Sequence, residues 1–273
     1  MPLAPLYERT LEAPEVTYRL RLVQPNSERW LVLVHGIGRE VDGLQRWFGG
    51  LASQHGYNLL LPMFDEKRFR DYQRLGRDGL GERADTALLA MMEDVRGMGM
   101  NLPDRVPIFG FSGGAQFAHR FALAHGGRVQ SLICAAAGWY TPLRPKTRYP
   151  YGLGRCARLE DLAFCPERLL AMPTLTLVGE LDRERDDTVR DRRRLNVEQG
   201  ETRLERANWW HKHLRRASRR RGVAPQHELQ VMPNCGHNLR DCALHGALAE
   251  RVFDFVERAA QPALPLADLQ EAR

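Results

Sequence analysis

The sequence predicts an α/β fold in which a mostly parallel central β-sheet is flanked by helices. Short runs of apolar and β-branched residues alternate along the chain with longer amphipathic runs, the pattern of strands joined by helical crossovers. One short run, Trp30–Val34 (WLVLV), is apolar throughout, as expected for a strand buried on both faces of a parallel sheet. The 273 residues are also enough to enclose a large apolar core.

The alternation predicts each element in turn. Val16–Val23 alternates apolar and polar residues, so we expect an edge strand there. The other predicted strands are Trp30–Val34, Tyr57–Phe64, Val106–Gly110, Val129–Ala137, Thr174–Val178 and Glu228–Met232. The predicted helices between and after them are Asp42–His55, Glu82–Met98, Gly113–His125 and Cys242–Ala260.

Two segments interrupt this alternation. Thr141–Pro173 holds five prolines and cannot form one regular element, so we expect residues 141–172 to lie over one end of the sheet as a short lid. Residues 183–224 follow another strand as a charged helical insertion. We expect residues 1–260 to form a single domain, followed by a flexible tail at 261–273.

The charged insertion contains a further predicted helix. Thr202 and Glu205 have capping-box spacing at its start, and Gly222 supplies a stop at its end. Trp209 and Trp210 are adjacent, so only one of them can face the core. The apolar residues at three- and four-residue spacing are Leu204, Ala207, Trp210, Leu214 and Ala217.

The charge balance suggests no polyanionic partner. The chain carries 40 Lys+Arg and 34 Asp+Glu, a net charge of +6, and its acidic residues are spread among the basic ones. Charge runs on amphipathic helices usually form solvated faces, and no aromatic ladder for stacking bases accompanies this one, so we expect no nucleic-acid binding. The basic residues of the helix are Arg203, Arg206, Lys212, Arg215, Arg216, Arg219, Arg220 and Arg221.

Cysteine usage and hydropathy favour a cytoplasmic protein. No run of about 18 apolar residues exists, so no membrane span is expected, and the first residues lack the apolar core of a secretory signal peptide. The cysteines are odd in number and match no zinc spacing, which favours reduced thiols and no metal site. They are Cys134, Cys156, Cys165, Cys235 and Cys242.

The strongest local motif is Gly110-Phe-Ser-Gly-Gly114, which lies between a predicted buried strand and a predicted helix. A serine on a tight strand-to-helix turn presents its Oγ away from the backbone, and the flanking glycines leave room for that turn. Ser112 is therefore the candidate nucleophile.

A second motif, His35-Gly-Ile-Gly38, follows the WLVLV strand. Acyl transfer develops a negative oxygen that needs preorganised backbone N–H donors. Gly113, directly after the candidate nucleophile, is expected to supply one such donor, and Ile37 in this loop the other. His35 itself is interpreted as a structural residue.

The order of these motifs, with Val178-Gly-Glu-Leu-Asp182 and Pro233-Asn-Cys-Gly-His237 further along, resembles the α/β-hydrolase superfamily over about residues 16–258. That family has its triad in the order Ser, Asp or Glu, His. The resemblance therefore implies Ser112 as nucleophile, Asp182 as acid and His237 as base. A narrower resemblance, around Gly138-Trp-Tyr140 and Arg194–Arg206, is to bacterial polyhydroxyalkanoate-depolymerase-like esterases.

Alternatives remain for the acid and the base. Glu180, Asp186 and Asp187 compete with Asp182 for the role of acid. Cys235 is interpreted as a packing residue because no histidine spacing or cationic helix terminus marks it as a nucleophile. The competing histidines are His35, His55, His119, His125, His211, His213, His227 and His245.

The predicted function is therefore hydrolysis of an ester through an acyl-enzyme, with no organic cofactor and no metal. The substrate is expected to be a small-molecule or polyester-type ester. An acyltransferase would use the same triad, and a non-catalytic binding protein could use the same scaffold.

Overall fold

An eight-stranded β-sheet forms the centre of the computed structural model, which describes residues 4–79, 81–185 and 189–261. The strands lie in the order β1-β2-β4-β3-β5-β6-β7-β8. Their bounds are β1 Leu6–Glu12, β2 Glu15–Arg21, β3 Trp30–Val34, β4 Asn58–Met63, β5 Val106–Phe111, β6 Val129–Ala135, β7 Thr174–Gly179 and β8 His227–Met232.

The sheet is parallel from β4 to β8, and only β2 pairs antiparallel, with β1 on one side and β4 on the other. This arrangement confirms the predicted mostly parallel sheet. Every residue of β3, β5 and β7 is buried, because helices cover both faces of the sheet.

The prediction that Val16–Val23 is an edge strand is wrong. Its strand, β2, lies inside the sheet, and β1 forms the edge. The side chains of β1 are exposed on both faces except for the half-buried Leu11. A strand that buries so little of either face does not need alternating apolar residues, and the hydrophobic pattern therefore does not reveal it.

The helices form one layer on each face of the sheet. Helices α1, α7 and α8 pack on one face, and α2, α3, α4 and α6 pack on the other. The α-helices are α1 Val41–His55, α2 Ala84–Gly97, α3 Gly113–Ala124, α4 Pro166–Leu170, α5 Arg193–Gln199, α6 Arg203–Arg220, α7 Leu239–Leu244 and α8 Leu248–Ala260. Single 3₁₀ turns occur at Tyr72–Arg74, Gly126–Arg128 and Ala157–Leu159.

The predicted helix Cys242–Ala260 is two helices, α7 and α8. Ala247 has a φ of 49°, and this left-handed conformation ends the helical path between them. Helix α7 also begins earlier than predicted, because the side chain of Asn238 caps it by accepting the Arg240 and Asp241 N–H groups at 2.9 and 3.2 Å.

Residues 141–172 follow an irregular path between β6 and β7. Leu143, Tyr149, Leu159 and Leu169 from this segment are buried in the same apolar cluster as α3 and α6. Its role as a lid stays a prediction. Most of the predicted tail, residues 262–273, lies outside the described residues. In the described ranges, no helix has the length and apolar character needed to cross a bilayer.

Helix α6 has the predicted cap and the predicted apolar face. The Thr202 side chain accepts the Glu205 N–H, and the Glu205 carboxylate accepts the Thr202 N–H. Trp210 is fully buried and stacks on Tyr140 with ring centroids 4.8 Å apart, whereas Trp209 is only partly buried. Trp210 therefore points into the core, whereas Trp209 packs at its margin and is only partly buried.

Two basic residues of α6 do not belong to a solvated face. Arg203 and Arg206 are 1% and 0% exposed, so the prediction of a solvated basic face is wrong at these two positions. Arg206 donates to the carbonyls of Gly138, Arg190 and Gly200. These carbonyls accept the hydrogen bonds that water would otherwise accept from the guanidinium. The guanidinium can therefore be buried.

The two adjacent tryptophans provide a test of this packing. We expect Trp210→Ala to lower the free energy of unfolding by about 3–5 kcal/mol, because it removes a fully buried indole and leaves a cavity. Trp209→Ala, the matched control, should cost at least about 2 kcal/mol less because Trp209 is only partly buried. Urea unfolding followed by circular dichroism measures both losses. Equal losses would contradict this assignment of the core face.

Candidate active site

Ser112 lies at the sharp turn between the carboxyl end of β5 and the start of α3. Its φ of 53° and ψ of −111° are unusual for a residue with a side chain, so the surrounding contacts must hold this conformation. The Ser112 N–H donates to the Ala135 carbonyl at 2.8 Å, and the Ser112 carbonyl accepts the Gln116 N–H at 3.2 Å. The turn is therefore fixed to both β6 and α3.

Gly114 allows the start of α3 to approach the end of β3. A Cβ atom at Gly114 would lie 2.5 Å from the His35 carbonyl oxygen and would also overlap the Val34 carbonyl. Only glycine permits this contact between two backbones. The contact places the Ser112 turn directly beside the His35–Gly38 loop.

The structure brings Ser112, His237 and Asp182 together from the carboxyl ends of three strands. His237 Nε2 lies 3.0 Å from Ser112 Oγ, and His237 Nδ1 lies 3.1 Å from Asp182 Oδ2. Phe111 stacks on the imidazole with ring centroids 5.5 Å apart. With its proton on Nδ1, the imidazole donates to the carboxylate and can accept the serine hydroxyl on Nε2.

Close backbone contacts hold the acid and base loops side by side. The Glu180 N–H donates to the Met232 carbonyl at 2.8 Å, and the Leu181 N–H donates to the Cys235 carbonyl at 3.0 Å. A Cβ atom at Gly179 would overlap the Cys235 carbonyl and lie 2.8 Å from the Gly236 carbonyl. The loop after β7 and the loop after β8 therefore form one unit.

Asp182 has a partner that the sequence did not reveal. Its Oδ1 accepts a hydrogen bond from Arg203 Nη1 at 3.2 Å, and both side chains are only 1% exposed. The basic run of α6 predicts a solvated position for Arg203, and this prediction is wrong. A capping box immediately before a basic residue indicates where α6 begins, but no local pattern indicates which carboxylate that residue meets.

Of the alternative acids, Glu180 is the one that the structure describes. Its carboxylate accepts the Asn234 N–H at 3.4 Å, and it makes no contact with the imidazole of His237. Asp186 and Asp187 lie outside the described residues.

Among the described residues, His237 is the histidine that contacts the Ser112 hydroxyl. His35 is completely buried, donates from Nδ1 to the Gly36 carbonyl at 2.8 Å, and accepts the Phe64 N–H on Nε2 at 3.0 Å. Burial lowers the pKa of His35 to about 4, so this imidazole is neutral at ordinary pH and holds the loop. Cys235 is also buried, and its thiol donates to the Met232 carbonyl at 3.4 Å, in line with a packing role.

The two expected oxyanion donors lie close to each other. Ile37 N lies 3.1 Å from the position that a Gly113 Cβ atom would occupy. Within the described ranges the Ile37 N–H has no acceptor, and the Gly113 N–H belongs to the first turn of α3, where amides have no partner in the helix. Arg39 holds the loop by donating to the carbonyls of Ile37 and Phe64 at 2.8 and 2.9 Å.

The cleft at Ser112 is small, with a volume of about 160 Å³. No residue from 141–172 lines it. A larger cavity of about 460 Å³ lies on the other side of the His35–Gly38 loop, but neither Ser112 nor His237 lines it. Ser112 and His237 therefore face the smaller cleft. Its lining residues are Gly36, Ile37, Gly38, Glu40, Phe111, Ser112, His237, Asn238 and Leu239.

Solved structures share this architecture. Poly(aspartic acid) hydrolase-1 from Sphingomonas sp. KT-1 is 22% identical, with a TM-score of 0.77 over 94% of this chain and 99% of that one. LpqC, a poly(3-hydroxybutyrate) depolymerase from Bordetella parapertussis, is 21% identical, with a TM-score of 0.73 over 94% and 88%. The fluorophosphonate-binding serine hydrolase F of Staphylococcus aureus is 13% identical, with a TM-score of 0.60 over 93% and 99%.

These similarities confirm the α/β-hydrolase fold that the sequence motifs implied. At identities this low, the likeness concerns the fold alone. Neither the models of protein families nor the curated protein sequences include a match to this chain.

The contact at Gly114 leads to a prediction about stability. We expect Gly114→Ala to lower the free energy of unfolding by about 1–3 kcal/mol or more, because the added methyl group meets backbone atoms that cannot move away. Gly50→Ala in α1, where nothing lies within 4 Å of the new Cβ, should instead raise stability by about 0.5–1 kcal/mol. Urea unfolding of both variants measures the effects. A Gly114→Ala protein as stable as the wild type would contradict the close contact.

Proposed function

We propose that this protein is a serine hydrolase that cleaves a carboxylic ester through an acyl-enzyme, with Ser112 as nucleophile, His237 as general base and Asp182 as its orienting acid. The observation that carries the proposal is the continuous chain of contacts from Ser112 Oγ through the imidazole to Asp182, at 3.0 and 3.1 Å. A serine hydroxyl is a weak nucleophile until an adjacent base accepts its proton, and this geometry supplies such a base.

In the first half-reaction, Ser112 Oγ attacks the carbonyl carbon of the ester while its proton moves to His237 Nε2. The carbonyl oxygen becomes an oxyanion that accepts hydrogen bonds from the N–H groups of Ile37 and Gly113. When the tetrahedral intermediate collapses, the imidazolium gives the proton to the departing alcohol. The acyl group stays on Ser112 as an ester.

In the second half-reaction, water attacks the acyl-enzyme and His237 accepts the water proton. Collapse of the second tetrahedral intermediate releases the carboxylic acid, and the proton returns to Ser112. Asp182 keeps the imidazole proton on Nδ1 and stabilises the imidazolium that forms in each half-reaction.

The substrate class proposed is a small-molecule or polyester-type ester. Ile37 lines the cleft with a side chain that is 46% exposed, and no residue from 141–172 covers Ser112 there. Long substrates could therefore reach Ser112 without threading through a tunnel. Two structures with the same fold are named for polymer substrates. Poly(3-hydroxybutyrate) is a polyester, which supports this choice, whereas poly(aspartic acid) is a polyamide and supports only access by a polymer.

Loss of the nucleophile is the most direct test. We expect Ser112→Ala to fold normally but to lose turnover of p-nitrophenyl esters by a factor of about 10³ or more, together with labelling by a fluorophosphonate probe. Ser131→Ala is a matched control, because the Ser131 hydroxyl is buried and has no hydrogen-bond partner among the described residues. Wild-type protein that takes no label would favour a binding protein. Preferred transfer to an added alcohol over water would favour an acyltransferase.

The role of the acid is tested separately. Asp182→Asn keeps the shape of the side chain but favours the wrong imidazole tautomer, and we expect kcat to fall by a factor of about 10⁴. Glu180→Gln, two residues away, should change kcat by less than about tenfold because Glu180 does not contact the imidazole. Steady-state kinetics on both variants decides. A larger loss in Glu180→Gln than in Asp182→Asn would overturn the assignment of the acid.

A further inference from the structure

We propose that Arg203 is a positioning residue for the candidate triad: its buried guanidinium holds the Asp182 carboxylate through the oxygen that His237 does not use. This inference rests on the proposed function, because it assigns Arg203 a role only if Asp182 orients His237. Nothing in the sequence motifs of the triad includes this residue.

The two oxygens of Asp182 have separate partners. Oδ2 lies 3.1 Å from His237 Nδ1, and Oδ1 accepts from Arg203 Nη1 at 3.2 Å. A carboxylate held at only one oxygen can rotate about its Cβ–Cγ bond, whereas a carboxylate held at both cannot do so without losing a hydrogen bond. Arg203 therefore fixes the plane of the group that orients the imidazole.

Arg203 is itself held in a fixed place at the start of α6. The reciprocal cap between Thr202 and Glu205 defines the first turn of the helix. The Leu204 N–H donates to the backbone carbonyl of Asp182 at 3.3 Å, which ties this turn to the residue that Arg203 contacts. Helix and acid loop are thus joined at both the backbone and the side chain.

Arg203 is the one cation in contact with this carboxylate in the part of the chain that the structure describes. Three other titratable groups interact electrostatically with Asp182: Tyr140, Cys235 and Cys242. Burial raises the pKa of each, so all three are neutral at ordinary pH. Glu40 also lines the cleft, but its side chain is exposed to water.

The positive charge has two opposite effects on catalysis. It holds the Asp182 carboxylate in the orientation in which Oδ2 accepts from His237 Nδ1, which favours the correct imidazole tautomer. It also opposes the positive charge that His237 gains as a base, because both partners share one carboxylate. Removal of the charge should therefore lower kcat by loosening Asp182 and raise the affinity of His237 for a proton.

Stability alone does not account for this buried pair. Desolvation of two charges offsets much of their attraction, and well-packed apolar residues often replace such pairs without loss of stability. Arg203 contacts the Asp182 carboxylate, whereas the nearby buried Arg206 donates to backbone carbonyls and to Asn196.

The test compares Arg203→Met, Arg203→Lys, Asp182→Asn and the double variant Arg203→Met/Asp182→Asn. We expect Arg203→Met to lower kcat by about 10–100-fold with KM changed by less than about threefold. The acidic limb of kcat/KM against pH should move to higher pH by about one unit. Arg203→Lys keeps the charge but lacks the planar fork, so the limb should stay in place while kcat falls.

The double variant separates positioning from packing. If Arg203 acts through Asp182, then Arg203→Met should lower kcat by less than about threefold in the Asp182→Asn background. Arg206→Met is the control for a buried arginine on the same helix, and it should lower stability without moving the limb. Circular dichroism and urea unfolding verify that each variant is folded. If Arg203→Met does not fold, Arg203→Lys takes its place in the comparison. Its loss of kcat should likewise be smaller in the Asp182→Asn background than in the wild-type background.

The outcomes distinguish failure of the positioning role of Arg203 from failure of the proposed hydrolase function. An Arg203→Met enzyme that shows an unmoved limb and an equal loss of kcat in both backgrounds overturns the positioning role and leaves the triad intact. An equal loss for Arg203→Lys in both backgrounds does the same if that comparison is used. An Asp182→Asn enzyme with wild-type kcat overturns the proposed function, and the role of Arg203 with it.

Discussion

The close approach of backbones at the carboxyl edge of the sheet is the constraint on which the rest of the structure depends. Gly114 lets α3 contact the end of β3, and Gly179 lets the loop after β7 contact the loop after β8. Parallel strands end at the same edge, so these contacts gather loops that are distant in sequence. Ser112, Asp182 and His237 meet there because backbone atoms, rather than flexible side chains, determine where each loop begins.

Buried arginines stabilise the loops around this edge. Arg120 donates to the carbonyls of Gln73 and Gln116 and lies 4.2 Å from the ring of Trp139, while Arg206 holds the carbonyl of Gly138. Burial lowers the pKa of both guanidinium groups to about 10, which leaves them charged at ordinary pH. Carbonyl dipoles and an aromatic ring replace the lost hydration, and each cation connects several irregular segments that have few regular hydrogen bonds.

The two sides of the cleft are held in different ways. On the side of the His35–Gly38 loop, a neutral buried imidazole and the guanidinium of Arg39 hold backbone carbonyls, and no described residue accepts the Ile37 N–H. On the side of Asp182, a buried ion pair holds a side chain. Hydrogen bonds to carbonyls orient a loop, whereas a charged partner also sets the electrostatic environment of the imidazole.

The sequence by itself determined the local features of this protein: the buried strands, the glycine-flanked turn at Ser112, the cap at Thr202 and which face of α6 carries Trp210. Each of these depends on neighbours within a few residues, so a periodic pattern or a short motif reveals it. The motifs also named Asp182 and His237 as candidates, but only through a family resemblance. Tertiary structure decided the rest: the exposed edge strand β1, the break between α7 and α8, and the burial of Arg203 against Asp182. These features depend on contacts between residues far apart in the chain, and no local pattern of residues encodes such contacts.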